Sequence, residues 1–277
     1  MCTLFLFVNQ IENYPIVLIS NRDEYRFRKS SMIEGWNNSY SSFGNEIFGP
    51  RDESQKGTWF ACQNKLNSKW GIITNIRDMK SYNKDLRSRG EIIPNFLNSN
   101  DNCVNFLDKL KNISASYNFF NLLISDSQTV HYYNSKNKTS QLLFHCDTTE
   151  KKVFGLSNAE IDSNWPKIIE NKNKFKEYLI NNYKSTLNLC DYWQYFRREM
   201  MNTKTFSLDK LPNTGLGPDR EVFLSSLFIP GKDYGTTSTI FFAIKSNFNM
   251  QIYEQNYDEN ANSDQEKNIE LNFYSYE

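Results

Sequence analysis

The cysteine at the second position is the residue of this chain best suited to chemistry. Removal of Met1 would leave Cys2 with both a thiol and a free α-amine. The amine titrates near pH ~7.7 to 8.0 and the thiol near ~8.5, so a neutral amine can take the proton from the thiol. Cys2 could then be a nucleophile that carries its own general base. A cysteine at this position can also be a small apolar side chain that simply packs in the core.

Polar residues follow two of the apolar runs that read as strands. Residues 21–24, with the sequence Asn-Arg-Asp-Glu, come directly after the run at residues 14–20, and Thr74, Asn75 and Arg77 end another run. Strand ends commonly present side chains to a functional site. The alternative for residues 21–24 is an arginine and two carboxylates that brace the end of a strand by ion pairing.

The remaining pattern consists of short β-type runs and two blocks of helical periodicity. Runs rich in β-branched and aromatic residues predict strands, and apolar residues three and four positions apart predict helices. Pro166 is acceptable only in the first turn of its helix, with Asp162 or Ser163 as the expected cap. The predicted strands are residues 2–8, 14–20, 57–62, 70–75, 119–125, 129–134, 141–145, 152–157, 222–229, 238–244, 250–257 and 269–273, and the predicted helices are residues 89–99, 101–111, about 162–179 and 187–200.

This order of elements predicts an α+β fold. Two groups of antiparallel strands with helices gathered between them suit helix layers that cover a pair of stacked sheets. No low-complexity linker or internal repeat interrupts the 277 residues. We therefore expect one domain over residues 1–277, built as a four-layer αββα sandwich.

Charge and cysteine content narrow the classes of partner. Lysine plus arginine and aspartate plus glutamate number 32 each, so charge gives no reason to expect nucleic acid or an anionic membrane. The five cysteines lie far apart without a CxxC pair, which favours a reducing cytoplasmic location and no structural metal. Gly231 and Gly235 are isolated and show no GxGxxG spacing, so no cofactor is expected. The first apolar run is too short for a membrane span or a secretory signal. The aromatic content is high, 15%, and most of these rings should lie in the core, but the same side chains could line an apolar pocket. A small hydrophobic molecule is therefore the expected partner, and the oligomeric state stays open.

Ten short motifs occur in order along the chain, and together they resemble the NRDE family, also called the Transport and Golgi organization 2 family. The family takes the first name from the tetrapeptide that is Asn21 to Glu24 here. It is regarded as having the fold of amino-terminal nucleophile hydrolases, which agrees with the layered fold expected from the pattern. The motifs are Met1-Cys2-Thr3, Ser20-Asn21-Arg22-Asp23-Glu24, Gly49-Pro50-Arg51-Asp52, Gly57-Thr58-Trp59, Thr74-Asn75, Ser88-Arg89-Gly90-Glu91, Phe120-Asn121-Leu122-Leu123, Gly155-Leu156-Ser157-Asn158-Ala159, Trp165-Pro166-Lys167 and Tyr234-Gly235-Thr236.

The layout is also similar to that of choloylglycine hydrolases and penicillin V acylases, which use a processed terminal cysteine, an arginine and an aspartate after the second strand, and two asparagines. The resemblance implies a nucleophilic cysteine, an arginine that holds the thiolate, a carboxylate that fixes the amine, and amides that donate to an oxyanion. Thr237 stands where family members often have arginine, so one charge of the family pattern is absent. The implied catalytic residues are Cys2, Arg22, Asp23, Glu24, Asn75 and Asn158.

Two functions follow from the resemblance. The first is a cysteine-terminal amidohydrolase or acyltransferase that acts on an amide or thioester of a small hydrophobic compound. The second is a non-catalytic binding or trafficking protein for haem, lipid or acyl-CoA on the same fold. His131 and His145, the only histidines, are more often structural residues in strands than axial ligands, so the sequence assigns no haem site.

Overall fold

A computed structural model describes residues 2–36, 47–65, 68–182 and 186–272. The chain forms two compact units. Unit 1 consists of Met1–Phe27, Arg77–Lys80 and Thr149–Glu270, and unit 2 consists of Arg28–Ile76, Ser81–Thr148 and Leu271–Glu277.

The described residues form two antiparallel sheets and five α-helices, which confirms the α+β class. The strands are β1 Cys2–Ile11, β2 Tyr14–Tyr25, β3 Glu34–Gly35, β4 Ile47–Gly49, β5 Phe60–Gln63, β6 Trp70–Asn75, β7 Phe120–Ser125, β8 Thr129–Asn134, β9 Thr139–His145, β10 Lys152–Leu156, β11 Tyr234–Ile244, β12 Met250–Tyr257 and β13 Ser263–Leu271, and the helices are α1 Ile92–Asn98, α2 Cys103–Ile113, α3 Pro166–Asn181, α4 Leu189–Met200 and α5 Pro218–Phe223. One sheet has six strands in the order β10-β1-β2-β11-β12-β13. The other has seven strands in the order β3-β4-β5-β6-β7-β8-β9.

The core of unit 1 lies between its sheet and the helices α3 and α4. The ring of Phe5 meets that of Phe175 edge-on at a centroid distance of 4.9 Å, and Phe7 stacks on Phe196 at 4.7 Å. Side chains alternate between the two faces of a strand, so the odd-numbered residues of β1 face these helices. Cys2 therefore starts β1 on the opposite face of the sheet.

A glycine sets how closely α3 approaches the sheet. A Cβ atom on Gly155 in β10 would lie 2.7 Å from Cγ2 of Ile168, so only glycine allows this contact. The backbone N–H of Gly155 also donates to Oδ1 of Asp162 at 2.8 Å. Asp162 thus anchors the loop before α3, and the prediction that Asp162 or Ser163 caps the helix was wrong. Trp165 is the N-cap, and Pro166 occupies the first turn as expected.

Most predicted elements are present, with three main differences. β2 extends through residues 21–24 because their polar groups find partners on neighbouring elements. The predicted strand at 222–229 was wrong: Val222 and Phe223 end α5, and the apolar residues that follow form turns. The backbone carbonyls of those turns accept hydrogen bonds from buried polar side chains. In a sheet the same carbonyls would be paired with the backbone of a neighbouring strand. The short strands β3 and β4 and the helix α5 were not predicted, and residue 273 of the last predicted strand lies outside the described residues.

Candidate functional site

Cys2 lies directly opposite Arg22 in the antiparallel pair of β1 and β2. Residues paired in this way have Cβ atoms about 4.5–5.5 Å apart, on the same face of the sheet. Hydrogen bonding by the backbone of Asp23 acts to lower the pKa of the Cys2 thiol. Cys2 is 7% exposed and Arg22 is 5% exposed. The structure thus brings the predicted nucleophile and the predicted cation together.

The surroundings of Cys2 disfavour the charged form of its thiol. Burial raises its pKa above the ordinary value, the charge of Asp23 raises it further, and the charge of Arg22 lowers it. Burial has the largest effect because an anionic sulfur loses its hydration. A thiolate at neutral pH needs either greater access to water or an adjacent base.

Asp23 is held by the neighbouring strand and is 1% exposed. Thr236, its partner in β11, donates from Oγ1 to Oδ1 of Asp23 at 2.7 Å. The hydroxyl of Tyr234 donates to the backbone oxygen of Asp23 at 3.1 Å. Burial raises the pKa of the Asp23 carboxyl, while the charge of Lys167 and the bond from Thr236 act to lower it. Asp23 is therefore a buried carboxyl whose charge depends on nearby donors and cations.

The side chain of Arg22 lies on the face of the sheet opposite to that of Asp23. A residue in a bulge of β11 holds it there. Its Nη1 donates to Oγ1 of Thr237 at 3.0 Å, and the same hydroxyl donates back to the carbonyl of Arg22 at 3.2 Å. The carboxylate of Glu24 lies 4.0 Å from Nη2 of Arg22. Thr237, the departure from the family pattern, thus contacts the cation that faces Cys2.

Lys167 is a second cation near Asp23, and it is 2% exposed. It lies in the first turn of α3, and its Nζ donates to the carbonyls of Leu224 at 3.0 Å and Ser226 at 3.3 Å. Burial lowers its pKa to about 8, although the charges of Asp23 and Cys2 act to raise it. Lys167 is thus a buried amine that can lose its proton near neutral pH.

Arg77 is a third cation, and it has a carboxylate partner of its own. Its Nη1 lies 2.9 Å from Oε2 of Glu221. The guanidinium also lies over the ring of Trp165, 4.9 Å from the ring centroid. Oε1 of Glu221 accepts bonds from the N–H and the hydroxyl of Thr214. This ion pair is fully satisfied, as a buried pair must be if it is not to destabilise the fold.

Asn158 follows β10 near the start of β1. Its carbonyl accepts a 2.8 Å bond from the N–H of Arg77. The hydroxyl of Ser157 lies 3.3 Å from the carbonyl of Cys2 and 3.4 Å from Oδ1 of Asn158. Asn158 lies in a bend between β10 and α3 and does not cap the helix, whose N-cap is Trp165. Its side chain is buried next to the strand that carries the thiol.

Asn75 and Asn21 have different positions from the residues above. Asn75 ends β6 in unit 2, opposite Phe120 of β7. Asn21 is a structural residue, because its Nδ2 donates to the carbonyls of Met200 and Leu227 at 2.9 Å each. Its Oδ1 accepts a 2.6 Å bond from Thr239. The first residue of the tetrapeptide therefore fastens β2 to two neighbouring segments of unit 1.

Four residues of this region were not assigned to the site from the sequence. Three of them lie in motifs that carried the family resemblance, namely Lys167 in Trp-Pro-Lys and Tyr234 and Thr236 in Tyr-Gly-Thr. The sequence marks Arg77 only as a polar residue after a strand. A buried lysine or tyrosine has no sequence signature of its own, so the motifs were the available signal.

An exposed turn of unit 2 brings three possible metal ligands together. The side chains of His145, Cys146 and Asp147 lie together on an exposed turn, with ligand atoms within 4.8 Å of one another. They are consecutive residues that also bond among themselves. Among the described residues, no helix is long and apolar enough to cross a membrane.

Comparisons with known proteins place these residues in a family. The family model described as "Transport and Golgi organisation 2" matches residues 1–259. The chain is 29% identical to the Transport and Golgi organization 2 homolog of Mus musculus and 28% identical to the homolog of Homo sapiens, over 172 residues in each case. These matches cover 59% of this chain and 58% of the length of each relative. Because the family model covers nearly the whole chain, the protein belongs to the Transport and Golgi organisation 2 family.

Proposed function

We propose that this protein is a cysteine amidohydrolase or acyltransferase in which Cys2 is the nucleophile and the substrate is an amide or thioester of a small hydrophobic compound. The observation that carries the proposal is the register of β1 and β2, which sets Cys2 opposite Arg22. Membership of the family supports the related proposal that residues 1–277 form one four-layer αββα domain of the amino-terminal nucleophile hydrolase type. The five free cysteines support a reducing, cytoplasmic location.

Activation of the thiol would begin with removal of Met1. Because the strands are antiparallel, Asp23 lies on the amino side of Cys2, next to its Arg22 partner. A new α-amine on Cys2 would gain a carboxylate neighbour that can orient it. The amine would then take the thiol proton, and Arg22 would stabilise the thiolate by its charge.

Acyl transfer would follow in two steps. The sulfur attacks the carbonyl carbon, a C–S bond forms, and the ammonium returns its proton to the leaving nitrogen or sulfur as that bond breaks. Water, or an acceptor amine or thiol, then attacks the thioester on Cys2 and releases the acyl group. The amide of Asn158 is proposed as a donor to the oxyanion of each tetrahedral intermediate.

An aromatic group next to Glu24 supports a hydrophobic substrate. The rings of Tyr25 and Phe27 stack with centroids 5.3 Å apart, and Tyr25 meets the ring of Tyr234 edge-on at 5.1 Å. Phe27 is 78% exposed, which is unusual for a phenylalanine. Since Tyr234 bonds to Asp23, these rings extend from the polar cluster to an exposed surface of unit 1.

One observation favours the second function, a binding or trafficking protein for haem, lipid or acyl-CoA. Cys2 is buried, and burial raises the pKa of its thiol, as is usual for a structural cysteine. On this alternative, residues 22–24 brace the end of β2 and the aromatic group contacts a cargo. The first function converts a bound substrate to product, whereas the second only binds its ligand.

The test is hydrolysis of N-acyl amides and acyl thioesters of increasing chain length. We expect Cys2→Ala to abolish turnover and Cys2→Ser to reduce it by orders of magnitude. Cys190→Ser is the matched control, since Cys190 is a free, exposed cysteine on α4 of the same unit. Equal binding of haem or an acyl-CoA by the wild type and Cys2→Ala, with turnover by neither, would support the second function instead.

A further inference from the structure

We propose that Thr237 is a positioning residue that holds the guanidinium of Arg22 beside Cys2. The inference rests on the proposed function of Cys2 as nucleophile. Both hydrogen bonds of the Thr237 side chain among the described residues are to Arg22, so it would act on the thiol only through Arg22. Its contribution would be to keep one cation in one place.

Thr237 occupies a bulge in β11, a position that does not exist in a regular strand. Thr236 pairs with Asp23 and Ser238 pairs with Arg22, so Thr237 is an extra residue in β11 with no partner in β2. Such a bulge turns the extra side chain away from its usual direction. Thr237 can therefore reach the arginine that its neighbour faces across the ladder.

The hydroxyl of Thr237 acts both as a hydrogen-bond acceptor and as a hydrogen-bond donor toward Arg22. Oγ1 accepts from Nη1 of Arg22 at 3.0 Å and donates to the carbonyl of the same residue at 3.2 Å. A hydroxyl has one proton to give, and here it goes to the backbone, so the lone pairs are free to face the guanidinium. The pair thus links the side chain of Arg22 to its own backbone and limits its rotation.

The charge of Arg22 matters because several other groups act on the same thiol. Asp23 on β2 opposes thiolate formation, and Arg22 favours it. Lys167 on α3 and Tyr234 on β11 also interact with Cys2, and Glu24 lies beside Arg22. With these groups unchanged, a displaced guanidinium shifts the balance toward the neutral thiol.

The experiment measures the rate of iodoacetamide alkylation of Cys2 against pH, followed by mass spectrometry of the amino-terminal peptide of the full chain. Thr237→Val keeps the β-branched shape but has no hydroxyl, and Thr237→Ser keeps the hydroxyl. Ser238→Ala is the matched control, because the buried Ser238 hydroxyl has no hydrogen-bond partner among the described residues. Urea unfolding of each variant verifies that the fold is retained.

We expect Thr237→Val to move the alkylation midpoint to higher pH and to slow the reaction at pH 7 by about threefold to tenfold, as weakening an opposite charge does. Thr237→Ser and Ser238→Ala should keep the wild-type profile. An unchanged profile in Thr237→Val, while Arg22→Met shifts it, would overturn the positioning role and leave the proposed function standing. If Thr237→Val shifts the pH profile of alkylation but the wild type hydrolyses no substrate, the positioning role stands and the proposed function is rejected.

Discussion

Thr236 donates a 2.7 Å hydrogen bond to Asp23 across the β2–β11 pair, and the same Oγ1 accepts a 2.9 Å bond from the N–H of Ile229. One hydroxyl therefore fixes a buried carboxylate and the end of the turn that enters β11. Asp23 is in turn the residue that follows the partner of Cys2. The geometry of the candidate site thus depends on a residue that never contacts the thiol.

Thr236→Val removes both bonds without changing the shape of the side chain. We expect a loss of about 2 kcal/mol in the free energy of unfolding, because a buried carboxyl and a buried N–H each lose a partner. The pKa of Asp23, already raised by burial, should rise further because its donor is gone. Urea unfolding at several pH values and NMR titration of the carboxyl measure these effects. Thr236→Ser should behave as the wild type, and a Thr236→Val protein of wild-type stability would contradict the expectation.

The ion pair of Arg77 and Glu221 is suited to a double-mutant cycle. Both side chains are buried, so Arg77→Met or Glu221→Gln alone should cost about 3–5 kcal/mol by leaving one partner uncompensated. The double variant should cost clearly less than the sum of the two, because neither charge is then left alone. Denaturant unfolding of the four proteins gives the coupling. Strict additivity would show that the pair contributes no specific interaction.

Asn21 should prove essential to stability and not to chemistry. Its amide donates to two buried carbonyls, so Asn21→Ala should cost about 2–4 kcal/mol. Asn21→Asp should cost more, since a carboxylate would face the same two carbonyl oxygens. Lys204→Ala is the control, because its ion pair with Glu170 is exposed. Thermal unfolding measures the losses. A variant Asn21→Ala that is stable but inactive would show instead that Asn21 acts in the candidate site.

Lys167 should give the protein a pH-dependent stability in the alkaline range. Burial lowers its pKa in the folded state to about 8, below the ordinary value of 10.5 in the unfolded chain. The unfolded state then binds more protons between these values, so the contribution of Lys167 to stability rises with pH from about 8 to about 10.5.

The comparison that isolates this effect is the wild type against Lys167→Met. The difference between their free energies of unfolding should shift in favour of the wild type by about 3 kcal/mol between pH 7 and pH 10.5. Urea unfolding at half-unit steps of pH measures it. A difference that stays constant over this range would mean that Lys167 keeps an ordinary pKa.

The local pattern of the sequence was sufficient for most strands and helices. The length of β2 was not predictable from that pattern, because residues 21–24 are polar and only their partners on distant segments make them strand residues. The turn after α5 was mistaken for a strand for the converse reason. Its apolar residues are buried, but the carbonyls of Leu224 and Leu227 accept hydrogen bonds from the side chains of Lys167 and Asn21.

The residues of the candidate site also fall into two groups, those whose approach the sequence could predict and those whose approach it could not. Cys2, Arg22 and Asp23 could be predicted to meet because they lie on consecutive strands joined by a short turn. Lys167 and Thr236 come from segments far along the chain, and their approach depends on how α3 and β11 pack. Local patterns contain no information on such packing, so only the motifs pointed to these residues.

The most direct test of the central claim is mass spectrometry of the amino-terminal peptide of active protein, before and after brief exposure to an activated acyl thioester. Our account predicts a chain that begins at Cys2 with a free α-amine and that gains the acyl group on this cysteine, while Cys190 stays unmodified. Active protein that retains Met1, or turnover that leaves no acyl group on Cys2 under trapping conditions, would contradict it.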